Sequence, residues 1–106
     1  MAWIAIIAAG LLEVVWAAAM KQARGFADPR ALVVMVVAMA GSVVLLAWAM
    51  RTLPLGTAYS AWTGIGALGA FAVGIVVFGE AATPARILAA ALILGGLILM
   101  KLSPDT

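Results

Sequence analysis

Glu13 is a carboxylate inside an apolar run from Ala2 to Met20, and no other residue of the chain combines such a type with such a place. Held at that depth in hydrocarbon, an ionised carboxylate costs on the order of 3 kcal/mol on insertion scales, so something must satisfy it. A proton does so by neutralising it, an organic cation by pairing with it. The two exclude each other on one group, and that exclusion is the physical content of exchange. A structural ion pair is the alternative, but no other apolar segment carries a mid-span Lys or Arg.

At 100° per helical residue, Ile6, Ala9, Gly10, Trp16, Ala17 and Met20 lie within about 60° of Glu13. Gly10 leaves room beside the carboxylate. Trp16 has a π-face for a cation and an indole N–H for the carboxylate. Trp3 and Trp48 read instead as interfacial anchors. A second face comes from Tyr59, Trp62, Thr63 and Gly66 at i, i+3, i+4 and i+7, where two polar-tipped aromatics suit a cation cage, or an aromatic belt at headgroup level in the case of Tyr59. Ser42 is the one hydroxyl in the apolar stretch from Ala31 to Met50, free either to serve the site or to bond the carbonyl four residues back.

Other chemistry has little to work with. The chain has no Cys and no His, which removes disulfides, thiolate and imidazole metal sites, Cys/His pairs and Ser/His/Asp triads. No enzymatic activity, cofactor or metal is expected. No Gly-rich segment leads into Lys-Ser/Thr, so a phosphate-cradling loop is not expected and uphill work must draw on an ion gradient. Six Lys/Arg stand against four Asp/Glu, and the basic residues lie at the ends of the apolar runs. That pattern suits membrane anchoring and not a nucleic-acid face.

The elements that position Glu13 follow from composition. Of 106 residues, 68% are hydrophobic and 9% charged, with a mean hydropathy of +1.28. A membrane-crossing helix needs about 20 apolar residues, so the chain divides into four crossings with little left over. The fold class is therefore all-α, a single four-helix transmembrane domain over residues 1–106 with helices at about 2–23, 29–50, 54–78 and 83–102. Lys21 and Arg24 close the first helix, with Gly25 as its stop. Asp28-Pro29 and Thr83-Pro84 are cap-plus-proline openings for the second and fourth. The tail from Ser103 to Thr106 is expected to fray. The first segment lacks a basic start and a small-residue cleavage pattern, and is read as a retained span and not a signal peptide.

Four crossings put both termini on one side with Arg51 and Lys101, and Lys21, Arg24, Arg30 and Arg86 on the other. So small a bias permits insertion in both orientations, and hence a head-to-tail pair; alternatively it suffices to fix one topology with the termini outside. Transporters commonly hold substrate between inverted repeats, which one four-helix unit cannot supply but an antiparallel homodimer can. Ala89 and Gly96, seven apart, with Ala91 and Gly95 as a small-xxx-small pair, mark a dimer seam on the fourth helix, or else ordinary packing within one chain.

On these residues the chain resembles the small multidrug resistance family of proton-coupled exporters along nearly its whole length. The matching features are Leu12-Glu13-Val14-Val15-Trp16-Ala17, Lys21, the run Leu-Pro-Leu-Gly-Thr-Ala-Tyr-Ser-Ala-Trp-Thr-Gly-Ile-Gly from Leu53 to Gly66, and Glu80 ahead of Thr83-Pro84. The resemblance implies an antiparallel, dual-topology homodimer in which two copies of Glu13 share one central site for cation and proton. It implies that Ser42, Tyr59 and Trp62 belong to that site and that the third helix bends at Gly64 and Gly66. Trp16-Ala17, Met39 and Lys101 are similar to the guanidinium-exporting branch; Ser60 departs from the alanine common in relatives.

Guanidinium suits these residues chemically, since a planar cation with paired N–H donors meets a carboxylate bidentately. Trp16 and Trp62 offer faces, and Ser42 can hold the carboxylate's remaining lone pairs. The implied function is a proton-coupled guanidinium antiporter in the inner or plasma membrane, working by alternating access. The competing readings are a broad quaternary ammonium exporter and, in another class, a non-transporting membrane subunit whose Glu13 bonds a partner helix. An open cation pore is disfavoured by the lack of a polar lining.

Overall fold

The computed structural model of the chain describes residues 1–24 and 27–103, so Gly25, expected to stop the first helix, and the tail from Pro104 lie outside the described residues. Four helices account for nearly all of it: α1 Ala2–Gln22, α2 Pro29–Ala49, α3 Leu55–Val76 and α4 Pro84–Leu102. Each is long and apolar enough to cross a membrane. No strand occurs among the described residues.

The helix starts have local causes. Asp28 accepts from the Arg30 N–H at 3.1 Å and Thr83 from the Arg86 N–H at 3.3 Å, with Pro29 and Pro84 at the first helical positions. These side chains satisfy backbone donors that the first turn leaves without partners. α3 begins one residue later than the expected 54, because Pro54 stays extended as its N-cap. It also ends at Val76, short of 78. Residues 77–83 double back there, with Gly79 at φ +69° and the Glu80 N–H donating to the Gly74 carbonyl at 2.9 Å.

α1 is the spine of the structure, packing along both α2 and α3; α4 leans on α3, and α2 meets α3 over a short stretch only. The Cα trace measures 45 × 35 × 17 Å. A width of 35 Å is about that of four helices side by side at roughly 9 Å spacing, so the chain forms a slab and not a closed bundle.

Lipid is as apolar as leucine, so helices adhere in it by close van der Waals contact, which favours small residues. The buried positions follow that rule: Ala5, Ala9, Gly10 and Ala19 on α1; Ala31, Ala38, Ser42 and Ala49 on α2; Ala58, Ala61, Gly64, Gly66 and Gly74 on α3. Larger side chains are few, Met35, Leu46, Leu53 and Ile6, and Ile6 is wholly enclosed, clustered with Ala9, Leu46, Ala49, Leu53, Ala58 and Ala61. α4 has no buried residue.

Gly10 shows how close the approach is. A Cβ there would lie 2.5 Å from Ile65 Cγ2 and 2.7 Å from Ile65 Cβ, atoms of a stiff β-branched side chain. A Cβ at Gly56 would meet nothing. Gly10→Ala is therefore expected to part α1 from α3 and destabilise the fold by about 1–3 kcal/mol. Gly56→Ala should be neutral or slightly stabilising. Unfolding of the two variants in mixed micelles, measured beside the parent chain, checks both signs.

Candidate functional site

Glu13 lies on the face of α1 that meets α3. Its carboxylate rests on the bare backbone of Gly66: a Cβ at that position would fall onto Oε1 of Glu13. Oε1 is buried and has no hydrogen-bond partner among the described residues. Two helices thus seat an acid between them and leave one of its oxygens unpaired. A buried acceptor in that state is costly until a proton or a cation supplies the missing partner.

The second feature is a hydrogen-bonded chain through Ser42, which is fully buried (0% exposed). Its Oγ–H donates to the Ala9 carbonyl at 2.7 Å, and it accepts from Trp62 Nε1–H at 2.9 Å. Neither sequence-based alternative for Ser42 describes this bond: the acceptor is neither the carbonyl four residues back on α2 nor the Glu13 carboxylate, but the backbone of α1 one turn before Glu13. A hydroxyl has one proton to give, and here it ties α2 to the turn that bears the carboxylate. Trp62 is half-buried and places its only donor on the same oxygen. α1, α2 and α3 meet at this point.

The remaining predicted residues divide. Tyr59 stacks tilted against Trp62, with ring centroids 5.4 Å apart and planes at 56°, and is 53% exposed. Trp16 is half-buried with Nε1 unpartnered among the described residues, so the expected donation to Glu13 is not formed. The room expected beside the carboxylate at Gly10 is filled by Ile65, and Gly66 provides it instead. Gly64 takes up Leu97 of α4, within 3.0 Å of where its Cβ would be, so both glycines named as hinge positions are contact points in a hydrogen-bonded helix that runs through them unbroken. Ala89 and Gly96 are exposed on α4, and a Cβ at Gly95 or Gly96 would meet nothing. These positions take no part in packing within the chain. No group of metal-ligating side chains occurs among the described residues.

Sequence reasoning missed a second charged cluster. Glu80 pairs with Lys21 at 3.6 Å and with Arg86 at 3.5 Å, joining the end of α1, the 77–83 loop and the start of α4. Three separate motifs carry these residues, and no local pattern connects them.

The sequence matches the family described as Small Multidrug Resistance protein over residues 1–93. The chain belongs to the small multidrug resistance family. With its four spans it is a multi-pass membrane protein of that family. Among curated relatives, a guanidinium exporter of Citrobacter freundii is 52% identical over 103 residues, covering 97% of this chain and 98% of the relative. A guanidinium exporter of Yersinia pseudotuberculosis is 54% identical over 103 residues, covering 97% and 99%. One of Salmonella typhi is 52% identical over the same length.

In this small multidrug resistance protein, Ser42 supports two bonds at once, and its loss leaves the Trp62 N–H without its acceptor and the Ala9 carbonyl with its helical bond alone. Ser42→Ala is expected to lower stability by about 1–3 kcal/mol, whereas Trp62→Phe, which keeps the Ser42 to Ala9 bond, should cost less through this joint. Thermal unfolding of both variants tests the order.

Proposed function

We propose that the protein exports guanidinium and small guanidinyl cations in exchange for protons, with Glu13 binding each in turn. The observation that carries this reading is the Glu13 carboxylate seated on Gly66 with one oxygen unpaired inside a membrane-spanning helix. A single acid so placed has two stable partners, proton and cation, and cannot hold both. Guanidinium is favoured by its flat pair of N–H donors, which match a carboxylate edge, and by the aromatic faces of Trp16 and Trp62 nearby. Relatives named guanidinium exporters, 52–54% identical over 97% of this chain, support the same substrate class.

The functional unit in this reading is an antiparallel homodimer with two Glu13 side chains about one central site, open to each side of the membrane alternately. Three features support it. The slab leaves α3 with an exposed hydroxyl stripe, Tyr59, Ser60 and Thr63, which lipid does not satisfy and a second copy or a watered pathway does. α4 buries none of its residues, and its small ones, Ala89 and Gly96, face outward, where a second helix can approach closely. The basic residues of the two sides are nearly balanced. Gly64 and Gly66 then serve as the hinge of α3, where small changes in backbone angle release Leu97 and the carboxylate together.

Exchange proceeds by competition. Cation bound at the Glu13 pair leaves when protons neutralise the carboxylates, and the protonated site reopens to the other side; the two acids titrate as a coupled pair. The sign of the pH effect follows directly. Lower pH fills the carboxylates with protons, so the apparent guanidinium Kd rises as pH falls, by up to about tenfold per pH unit for each competing proton.

Two measurements test this reading. Glu13→Gln, nearly isosteric, should retain folding and dimerisation but lose guanidinium-driven proton movement in proteoliposomes; coupled transport at the parent rate would remove Glu13 from the mechanism. Guanidinium titrations at several pH values should show the weakening towards acid, and a flat profile would rule out direct competition. Flux of bulky aromatic ammonium ions in the same vesicles separates a guanidinium exporter from a broad one.

A further inference from the structure

The Lys21, Glu80 and Arg86 cluster lies apart from Glu13 and is not used by the exchange above. Glu80 is held at its backbone by the bond to Gly74, and its carboxylate lies over the same glycine, where a Cβ would come within 2.8 Å of Cδ. Arg86 reaches it from the first turn of α4, with Nη2 3.5 Å from Oε1 and Cζ 5.3 Å from the centre of the Phe71 ring. Lys21 takes the other oxygen at 3.6 Å and stands over Phe78 at 5.2 Å. These residues rim a groove of about 310 Å³ between α1 and α3. Val14, the neighbour of Glu13, and Ala17, one turn beyond it, line its floor.

The head of Arg86 is itself a guanidinium group. A carboxylate oxygen and an aromatic face at cation distance are partners which that group takes, and both are supplied to it here at the rim of a groove between α1 and α3. We infer that Glu80 and Phe71 form a second, peripheral guanidinium-binding site, filled in this structure by the head of Arg86 and open to exchange with a free guanidinium ion. The inference rests on the guanidinium reading for its physiological ligand, while its geometry stands independently.

Two physical points support exchange. Charge is conserved at the cluster, because a guanidinium ion replaces one guanidinium group by another beside the same Lys21 and Glu80. Displacement also costs little. The Arg86 and Glu80 side chains are 42% and 36% exposed, and ion pairs of that exposure are held with equilibrium constants of only about one to five. Once displaced, Arg86 can extend along its aliphatic stem to the headgroups. A cation bound at Glu80 is then concentrated at the mouth of the groove whose floor reaches Glu13's own turn.

The chain has two glutamates, Glu13 and Glu80, so in Glu13→Gln the label [13Cδ]glutamate reports Glu80 alone. Full-length Glu13→Gln protein in lipid nanodiscs is titrated with guanidinium chloride, against potassium chloride at equal ionic strength. A saturable shift of the Glu80 resonance with guanidinium only is expected. Removing the tethered competitor, as Glu13→Gln/Arg86→Ala, should tighten binding roughly two- to sixfold. Arg86→Lys, which keeps the charge at the helix start but loses the planar fork, should tighten it as well. No saturable shift, an equal shift with potassium, or binding unchanged or weakened in both Arg86 variants would overturn the inference. Transport by the parent chain reports on Glu13 separately, so failure of the exporter reading and failure of the peripheral site give different results.

Discussion

The contact between the Glu13 carboxylate and the backbone of Gly66 is the constraint on which the rest of the structure depends. An acid inside a membrane helix needs a wall that neither repels it nor fills its place. A glycine on the facing helix provides one by exposing backbone where any other residue would put a side chain. That contact requires α1 and α3 to approach closely, and so requires small residues above and below it. Gly10 accepts Ile65 and Gly69 accepts Val14 on the same interface, each where a Cβ would collide. Close packing in lipid is ordinarily a way of holding helices together. Here it also sets the depth and direction of a charge.

The Ser42 joint adds stiffness to that arrangement from the other side. Its bond to the Ala9 carbonyl grips α1 one turn before Glu13, and its acceptance from Trp62 brings α3 to the same point. The end of the slab holding Ile6, Leu46 and Leu53 is the best-packed part of the molecule, and the site begins at its edge. α4, by contrast, rests on α3 through Leu97 at Gly64, with Arg86 at one end paired to Glu80 and Lys101 at the other standing 5.7 Å from the Trp3 ring. The molecule combines a rigid three-helix joint with a fourth helix tied mainly at its ends.

Much of this was legible in the sequence, for physical reasons that differ by residue. The four spans follow from hydrocarbon thickness and apolar run length, and the starts of α2 and α4 from Asp28 and Thr83 beside their prolines, all local properties. Ser42 and Trp62 stood out as polar groups deep in apolar helices, which have few places to go, and the structure joins them to each other and to the turn before Glu13. What the sequence did not disclose were partners across distance. Ser42 chose a backbone carbonyl 33 residues away, and every carbonyl of α1 is alike in sequence. Gly66 stood out as part of the Tyr59 face, but its place under the carboxylate depends on the rotation of α3 against α1. The Glu80 cluster draws on three elements, so its residues read separately as two interfacial cations and a loop acid.

The valence of Ser42 links the rigid joint to the chemistry. Its hydroxyl has a single proton, committed to the Ala9 carbonyl, and one of its lone pairs is committed to Trp62. It cannot donate to the Glu13 carboxylate without releasing α1. Any arrangement in which Ser42 donated to that acid would therefore be one in which its bond to the α1 backbone had been given up. Nor can Trp62 turn its N–H elsewhere while it donates to Ser42, which leaves its ring face as the free part of the side chain. The single proton of Ser42 thus holds α2 to the turn of α1 that bears Glu13, and that bond and any bond to the acid exclude each other.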